Sequence, residues 1–194
     1  MRKLARGDLM GLERYSAERP RLRAEIIEHK RRRNVAVGPN MTWCFEDRTT
    51  VRHQIQEMLR AERIFEASAI DEELDVYNPL IPDGANWKAT LLLEYPDPVA
   101  RQAALERLVG VEDRCWVRAG GLPPVYAVAD EDLERATAEK TSAVHFLRFE
   151  LPPATIEALK KGAPLALGVD HPHYRHALEP VPLPIRDSLL ADLD

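Results

Sequence analysis

The densest group of metal-binding side chains lies near the carboxyl end of the chain, in the segment DHPHYRH at 170–176. His171 and His173 are two residues apart at the end of a predicted strand, so their side chains are expected to point to one side. Imidazole and carboxylate groups favour iron, zinc or manganese. The predicted ligands are Asp170, His171, His173, His176 and, from a neighbouring strand, His145, with Glu150 as the alternative to His145. The competing interpretation is a polar loop that contains histidines.

A second set of acids and histidines lies on helices predicted between residues 20 and 67. A di-iron bundle uses Glu-x-x-His motifs on two helices, and this region has none. Glu25 precedes His29 by one helical turn, so the two side chains are expected to meet. Glu62 falls on the apolar face of the next helix, where a buried carboxylate needs a partner. We therefore predict that Glu25, His29 and Glu62 form internal polar pairs, with a metal site as the alternative.

The same region is rich in arginine. Three arginines end the first of these helices, and a polar stripe follows the outer side of the next one. The pattern predicts a face that binds a partner or an anion, formed by Arg31, Arg32, Arg33, His53, Glu57 and Arg60. The alternative is a solvated surface with salt bridges. Few aromatic residues interleave with these arginines and the net charge is −5, so nucleic-acid binding is not favoured.

Short motifs of known enzyme classes are missing from the sequence. It contains no GxGxxG, GxxxxGK[ST], GxSxG or HExxH. Cys44 and Cys115 do not form a CxxC, and each lies beside a tryptophan in a strand-like run, which is typical of buried reduced thiols. The residues thus identify no catalytic group and leave open whether the protein is an enzyme.

Length and hydropathy limit the classes of protein to which the chain could belong. A chain of 194 residues with 45% hydrophobic residues can bury a sizeable core in one domain or two small ones. No apolar run approaches the roughly 20 residues that span a bilayer. The opening MRKLARGDLMGLERY has positive charge without an apolar stretch behind it, unlike a secretory signal. We expect a cytoplasmic protein without membrane association, and a homodimer as the commonest oligomer.

Periodicity predicts an α+β fold with two regions. Residues 1–85 are predicted as a framework of helices and one hairpin: a helix over 8–18, a second that begins near Pro20, a hairpin around Gly38, and a helix capped by Thr49 or Thr50 that runs to about Ala67. Residues 86–194 are predicted as a mostly antiparallel sheet with helices on one face. One interpretation is a repeat of two β-α-β-β modules that start at TLLLEYP and FLRFELP, and the alternative is a coincidence of common element order. The two regions are expected to form one compact unit.

The residues between Lys30 and Pro82 also carry a family resemblance. The run KRRRNVAVGPNMTWCFEDRTTVRHQIQEMLRAERI, followed by ELDVYNPLIP and TLLLEY, resembles an uncharacterised bacterial family, the domain of unknown function 3501. The likeness covers nearly the full length. It implies a stand-alone cytoplasmic protein whose gene often lies beside genes for rubrerythrin-like and iron–sulfur oxidoreductase proteins. It assigns no catalytic residues.

These observations lead to one main hypothesis and two alternatives. We expect a non-catalytic accessory or interaction protein of an iron or peroxide redox system, with rubrerythrin-like or iron–sulfur proteins as its partners. The first alternative is a small metal-binding enzyme or metal sensor that uses the histidine segment 170–176. The second is an anion or nucleic-acid binder that uses Arg31, Arg32 and Arg33.

Overall fold

The computed structural model describes residues 2–133, 135–137 and 139–194, and over these residues the α+β class is confirmed. The helices are α1 Leu12–Lys30, α2 Arg48–Glu62, α3 Ala67–Tyr77, α4 Pro98–Arg107, α5 Pro153–Lys160 and α6 Leu183–Leu190. The strands are β1 Asn34–Ala36, β2 Met41–Glu46, β3 Asn86–Leu93, β4 Cys115–Ala119, β5 Val125–Tyr126, β6 Val128–Ala129, β7 Val144–Glu150, β8 Leu165–His171 and β9 Tyr174–Leu178.

Helix α1 is continuous, so the prediction of two helices that meet near Pro20 is wrong. Pro20 lies inside the helix, where it removes one backbone hydrogen bond. Tyr15 and Ile26 are buried on either side of this proline, and α1 packs against α2. Tertiary packing on both sides of Pro20 therefore outweighs the local preference for a break.

The start of α2 also differs from the prediction. Asp47, and neither threonine, is the N-cap: its carboxylate accepts hydrogen bonds from the backbone N–H groups of Thr49 and Thr50, both at 2.8 Å. The Thr50 hydroxyl in turn accepts from the Asp47 N–H at 2.9 Å, which completes a capping box. The helix ends at Glu62, before the predicted Ala67, because Arg63 adopts the left-handed conformation with φ 56°.

The strands form two antiparallel sheets, whereas the sequence predicted one. The first has the order β1-β2-β3-β7-β6 and the second β5-β4-β8-β9. The division occurs at Ala127: β5 pairs with β4, while β6, immediately after it, pairs with β7. One hydrophobic core takes side chains from both sheets, among them Trp43, Trp87 and Phe149 from the first and Val117 and Leu167 from the second.

The predicted modules agree with the observed element order. Strands β3 and β7, which begin the two modules, pair antiparallel with each other, and so do their second strands β4 and β8. Thr90 lies directly opposite Phe146, and these are the first residues of the two similar segments TLLLEYP and FLRFELP. The corresponding strands of the two predicted modules are therefore neighbours in both sheets.

The helical region and the sheet region meet in the first sheet. Strand β2 pairs along its length with β3, so the hairpin of residues 1–85 continues the sheet of residues 86–194. Helices α2 and α3 have their own apolar cluster, which includes Val51, Ile55, Leu59 and Leu74. None of the described helices combines the length and the apolar character that crossing a membrane requires.

Candidate functional site

A cleft of about 590 Å³ lies between α1 and α2. This volume is within the range typical of ligand sites, roughly 300–1,000 Å³. Its apolar wall includes Met10, Leu22 and Ile26. Its polar lining brings together His29, predicted in an internal pair, with Arg32 and His53, predicted on the partner face. The lining also includes Tyr15, Arg52 and Gln56. We refer to this site as the α1–α2 cleft.

Glu57 is held by two residues of α1. The Tyr15 hydroxyl donates to its Oε1 at 2.7 Å, and the Arg19 guanidinium donates to both carboxylate oxygens at 2.8 and 2.7 Å. The bond from Arg19 lowers the pKa of Glu57 to about 2. Burial raises the pKa of Tyr15 and lowers the pKa of His53, whose Nδ1 lies 3.4 Å from the Tyr15 hydroxyl. Glu57 is therefore an ionised anchor between the two helices.

The uncompensated charge of the cleft is positive. Arg32 and Arg52 are exposed, and within the part of the chain that the structure describes neither has a carboxylate partner within 4.0 Å. The acidic residues of the lining are each paired with an arginine that is not part of it: Asp8 with Arg48, Glu25 with Arg21 and Glu28 with Arg31. A bound group with negative charge would therefore complement this cleft.

The internal pairs predicted for Glu25, His29 and Glu62 do not form. Glu25 is exposed, and its carboxylate bonds to Arg21 one turn earlier on the same helix. His29 instead bonds through Nε2 to Asp47 Oδ2 at 2.6 Å, because the N-cap of α2 lies within its reach. Glu62 is the last residue of α2 and is exposed, beyond the buried stripe of that helix.

Arg33 does not belong to the predicted surface face. It is 1% exposed, and its guanidinium donates to the carbonyl oxygens of Phe45 and Glu46, both at 3.0 Å. It also pairs with Asp192, and with Asp47 at 3.4 Å. Burial raises the pKa of Asp192 to about 6, while Arg33 acts in the opposite direction. Of the other predicted face residues, Arg31 and Arg60 are exposed, and Arg32, His53 and Glu57 lie in or beside the cleft.

The histidine segment does not assemble around one point. His171 is buried on β8, where its Nε2 donates to the carbonyl of Val109 at 3.1 Å and its Nδ1 accepts from the His173 N–H at 3.2 Å. Both nitrogens are therefore used by the backbone. His173 and His176 are exposed, and the His176 ring packs on Tyr174 at 4.6 Å between ring centroids. Asp170 accepts from the Tyr126 hydroxyl at 2.8 Å.

His145 lies apart from that segment, in a buried polar network. It is fully buried on β7, and its Nδ1 is 2.6 Å from Asp130 Oδ2. Its Nε2 lies 2.8 Å from Thr141 Oγ1, 3.1 Å from the Ser142 carbonyl oxygen and 3.7 Å from Glu112 Oε2. The sequence prediction missed Glu112, Asp130 and Thr141, because they come from separate segments that no short motif joins.

Comparison with known proteins shows the family. The model of the family "protein of unknown function (DUF3501)" matches residues 3–193, so the chain belongs to this family, as its resemblance predicted. A crystal structure of a novel protein of unknown function from Burkholderia pseudomallei is 53% identical, covers 100% of both chains and superposes with a TM-score of 0.94. No curated protein matches the chain. The comparisons thus establish family and fold, and they assign no activity.

Proposed function

We propose that this DUF3501 protein is a non-catalytic accessory protein of an iron or peroxide redox system, and that it binds its partner through the α1–α2 cleft. The observation that carries the proposal is the pair of arginines, Arg32 and Arg52, which line the cleft without a carboxylate partner among the described residues. We also propose that it acts in the cytoplasm and that it forms a homodimer. Light scattering would measure the oligomeric state.

The charge of the cleft selects the kind of group that binds. A guanidinium presents N–H donors in a planar fork that matches the two oxygens of a carboxylate. Two such groups in one cleft favour an acidic segment of a partner over a neutral one. Complementary charge at an interface raises the association rate and rejects partners of the same sign.

The apolar wall selects what accompanies that acidic group. Met10, Leu22 and Ile26 line the cleft, and the neighbouring Ile27 is 50% exposed. An apolar side chain next to the acidic residue would be removed from water against this wall. The proposed occupant is therefore an acidic segment with an adjacent apolar residue. Rubrerythrin-like and iron–sulfur proteins are the candidate partners, because the resemblance implies that their genes lie nearby.

The state of the titratable groups favours binding over catalysis. Glu57, with a pKa lowered to about 2 by Arg19, is a poor proton acceptor near neutral pH. Tyr15, whose pKa is raised by burial, is a poor proton donor under the same conditions. Both side chains are already used in fixing α1 on α2.

The alternative function, a metal-binding enzyme or sensor that uses the segment 170–176, has less support. Its favourable observation is the proximity of the His171 and His173 rings, whose centroids are 5.7 Å apart. The backbone bonds of both His171 nitrogens weigh against it. A protein without a histidine tag that binds zinc, iron or manganese, and loses the metal when both residues are replaced by alanine, would favour this alternative.

An affinity measurement tests the main proposal. The untagged protein is immobilised, and the neighbouring rubrerythrin-like and iron–sulfur proteins are passed over it in oxidised and reduced states. We expect association with at least one of them. The affinity of the double variant Arg32→Ala/Arg52→Ala should be at least tenfold lower, a change in binding free energy of about 1.4 kcal/mol or more. Arg101→Ala, an exposed arginine on α4, is the matched control. Absence of association in every redox state would overturn the proposal.

A further inference from the structure

The buried network around His145 has more hydrogen-bond acceptors than protons. A neutral imidazole carries one N–H, and the carboxylate of Asp130 at 2.6 Å places that proton on Nδ1. The Nε2 lone pair then faces the Ser142 carbonyl oxygen at 3.1 Å, which can only accept. The Thr141 hydroxyl lies 2.8 Å from Nε2 and 3.2 Å from Glu112 Oε2. Its single proton can be donated to only one of these two acceptors.

The network also lacks positive charge to balance its carboxylates. The side chain of Glu112 is 10% exposed, and among the residues that the structure describes it has no lysine or arginine partner; only His145, which is charged only when doubly protonated, lies near it. Asp130, also 10% exposed, has Arg135 at 3.4 Å, but that guanidinium also bonds to Asp132 at 2.5 Å. A buried carboxylate is unfavourable without a counter-charge. One cation beside His145 Nε2 would interact with the Nε2 lone pair and would also neutralise the Glu112 carboxylate.

We propose that this cation is a divalent metal ion, bound by His145 Nε2 and Glu112 Oε2. Their separation of 3.7 Å is less than the combined length of the two bonds that zinc would form with them, about 2.0–2.1 Å to nitrogen and 2.0–2.2 Å to oxygen, so one ion can reach both atoms. The Thr141 hydroxyl and the Ser142 carbonyl oxygen lie 2.8 and 3.1 Å from the same nitrogen and would complete an oxygen-rich set. The ligands form one nitrogen and three oxygens, a set suited to zinc, manganese or ferrous iron.

Asp130 acts on the metal through the histidine. Its carboxylate accepts from His145 Nδ1–H and from the Phe146 N–H at 3.0 Å, so it is fixed by the backbone and fixes the ring in turn. A carboxylate behind a metal-binding histidine sets the tautomer and increases the basicity of the other nitrogen. Asp130 is thus a positioning residue, and the site requires neither the α1–α2 cleft nor the segment 170–176.

Zinc binding to the untagged protein tests this inference. After removal of bound metals, titration with Zn²⁺ should show one equivalent bound and a higher melting temperature, because a ligand of the folded state stabilises it. Glu112→Gln keeps the shape of the side chain and should weaken binding at least tenfold. Asp130→Asn should weaken it about 10–100-fold. His176→Gln, on the surface, and the His171→Ala/His173→Ala variant should bind as the wild type does.

The competing occupant of Nε2 is a second proton. Nitrogen NMR of the histidine rings distinguishes the two, because a metal-bound Nε2 carries no proton whereas an imidazolium carries one on each nitrogen. An imidazolium signal from His145 that persists with excess Zn²⁺ would overturn the inference. So would a Glu112→Gln variant that binds Zn²⁺ as tightly as the wild type. The Arg32→Ala/Arg52→Ala variant should retain the metal, so failure here and failure of the partner proposal are separate results.

Discussion

Two neighbouring arginines belong to regions of opposite character. Arg33 is 1% exposed and lies in an interior cluster with Asp47, Asp192 and two backbone carbonyl oxygens. Arg32 lines the α1–α2 cleft and has no ion pair with any described residue. The interior cluster pairs its one arginine with two carboxylates, whereas the cleft leaves two arginines without a carboxylate partner among the described residues. The first region therefore holds the fold together, and the second remains available to a partner.

The interior cluster links the two ends of the chain. Besides its carboxylate partners, Arg33 donates to the Ser188 carbonyl on α6 at 3.2 Å. It thereby joins the segment after α1 to the carboxyl-terminal helix. His29 joins the cluster through Asp47 at 2.6 Å and also lines the cleft, so one histidine connects the two regions.

Replacing the two arginines gives the largest expected contrast. Arg33→Ala leaves buried carboxylates without their partner and should lower the free energy of unfolding by about 3–5 kcal/mol. Arg32→Ala, on the surface, should change it by less than about 0.5 kcal/mol. Urea denaturation measures both values. Equal effects of the two substitutions would mean that the interior and the cleft do not differ as described.

Asp47 offers a second, smaller contrast within the interior cluster. Asp47→Ala removes the N-cap of α2 together with the partner of His29 and Arg33. Asp47→Asn retains a capping oxygen but removes the charge. The alanine variant should therefore unfold more easily than the asparagine variant by about 1 kcal/mol, the usual contribution of a cap. If both variants lose the same free energy, the cap at Asp47 contributes nothing measurable.

The pH dependence of stability tests the anchor beside the cleft. Because Arg19 lowers the pKa of Glu57 in the folded state to about 2 from 4.5, ionised Glu57 stabilises the fold above pH 4.5, and this contribution is lost as the pH falls from 4.5 towards 2. Wild type should lose more unfolding free energy between pH 6 and pH 3 than Glu57→Gln. Glu62→Gln, at an exposed position on the same helix, is the control and should follow the wild type.

The sequence predicted the elements better than their contacts. The turn at Gly38 located the β1–β2 hairpin, and the similar segments TLLLEYP and FLRFELP located β3 and β7, because these signals are local. The burial of Arg33 was missed, since its partner Asp192 lies 159 residues further along the chain.

The two candidate sites also show that local sequence patterns do not predict contacts between distant segments. For the cleft, the sequence named His29, Arg32 and His53, and the structure added Tyr15 and Gln56. Helical spacing tells which residues share a face of one helix, whereas a cleft depends on how two helices pack. For the metal ligands, the sequence named His145 but not Glu112, because β7 and the segment before β4 become neighbours only in the folded chain.

The salt dependence of partner binding tests the central claim most directly. The dissociation constant of the complex with the rubrerythrin-like or iron–sulfur partner is measured at several ionic strengths, for wild type and for Arg32→Ala/Arg52→Ala. Because exposed charges are screened by salt, wild type should bind more weakly as salt increases, and the variant should bind weakly with little salt dependence. A variant that binds as tightly as wild type, with the same salt dependence, would show that the α1–α2 cleft is not the binding site.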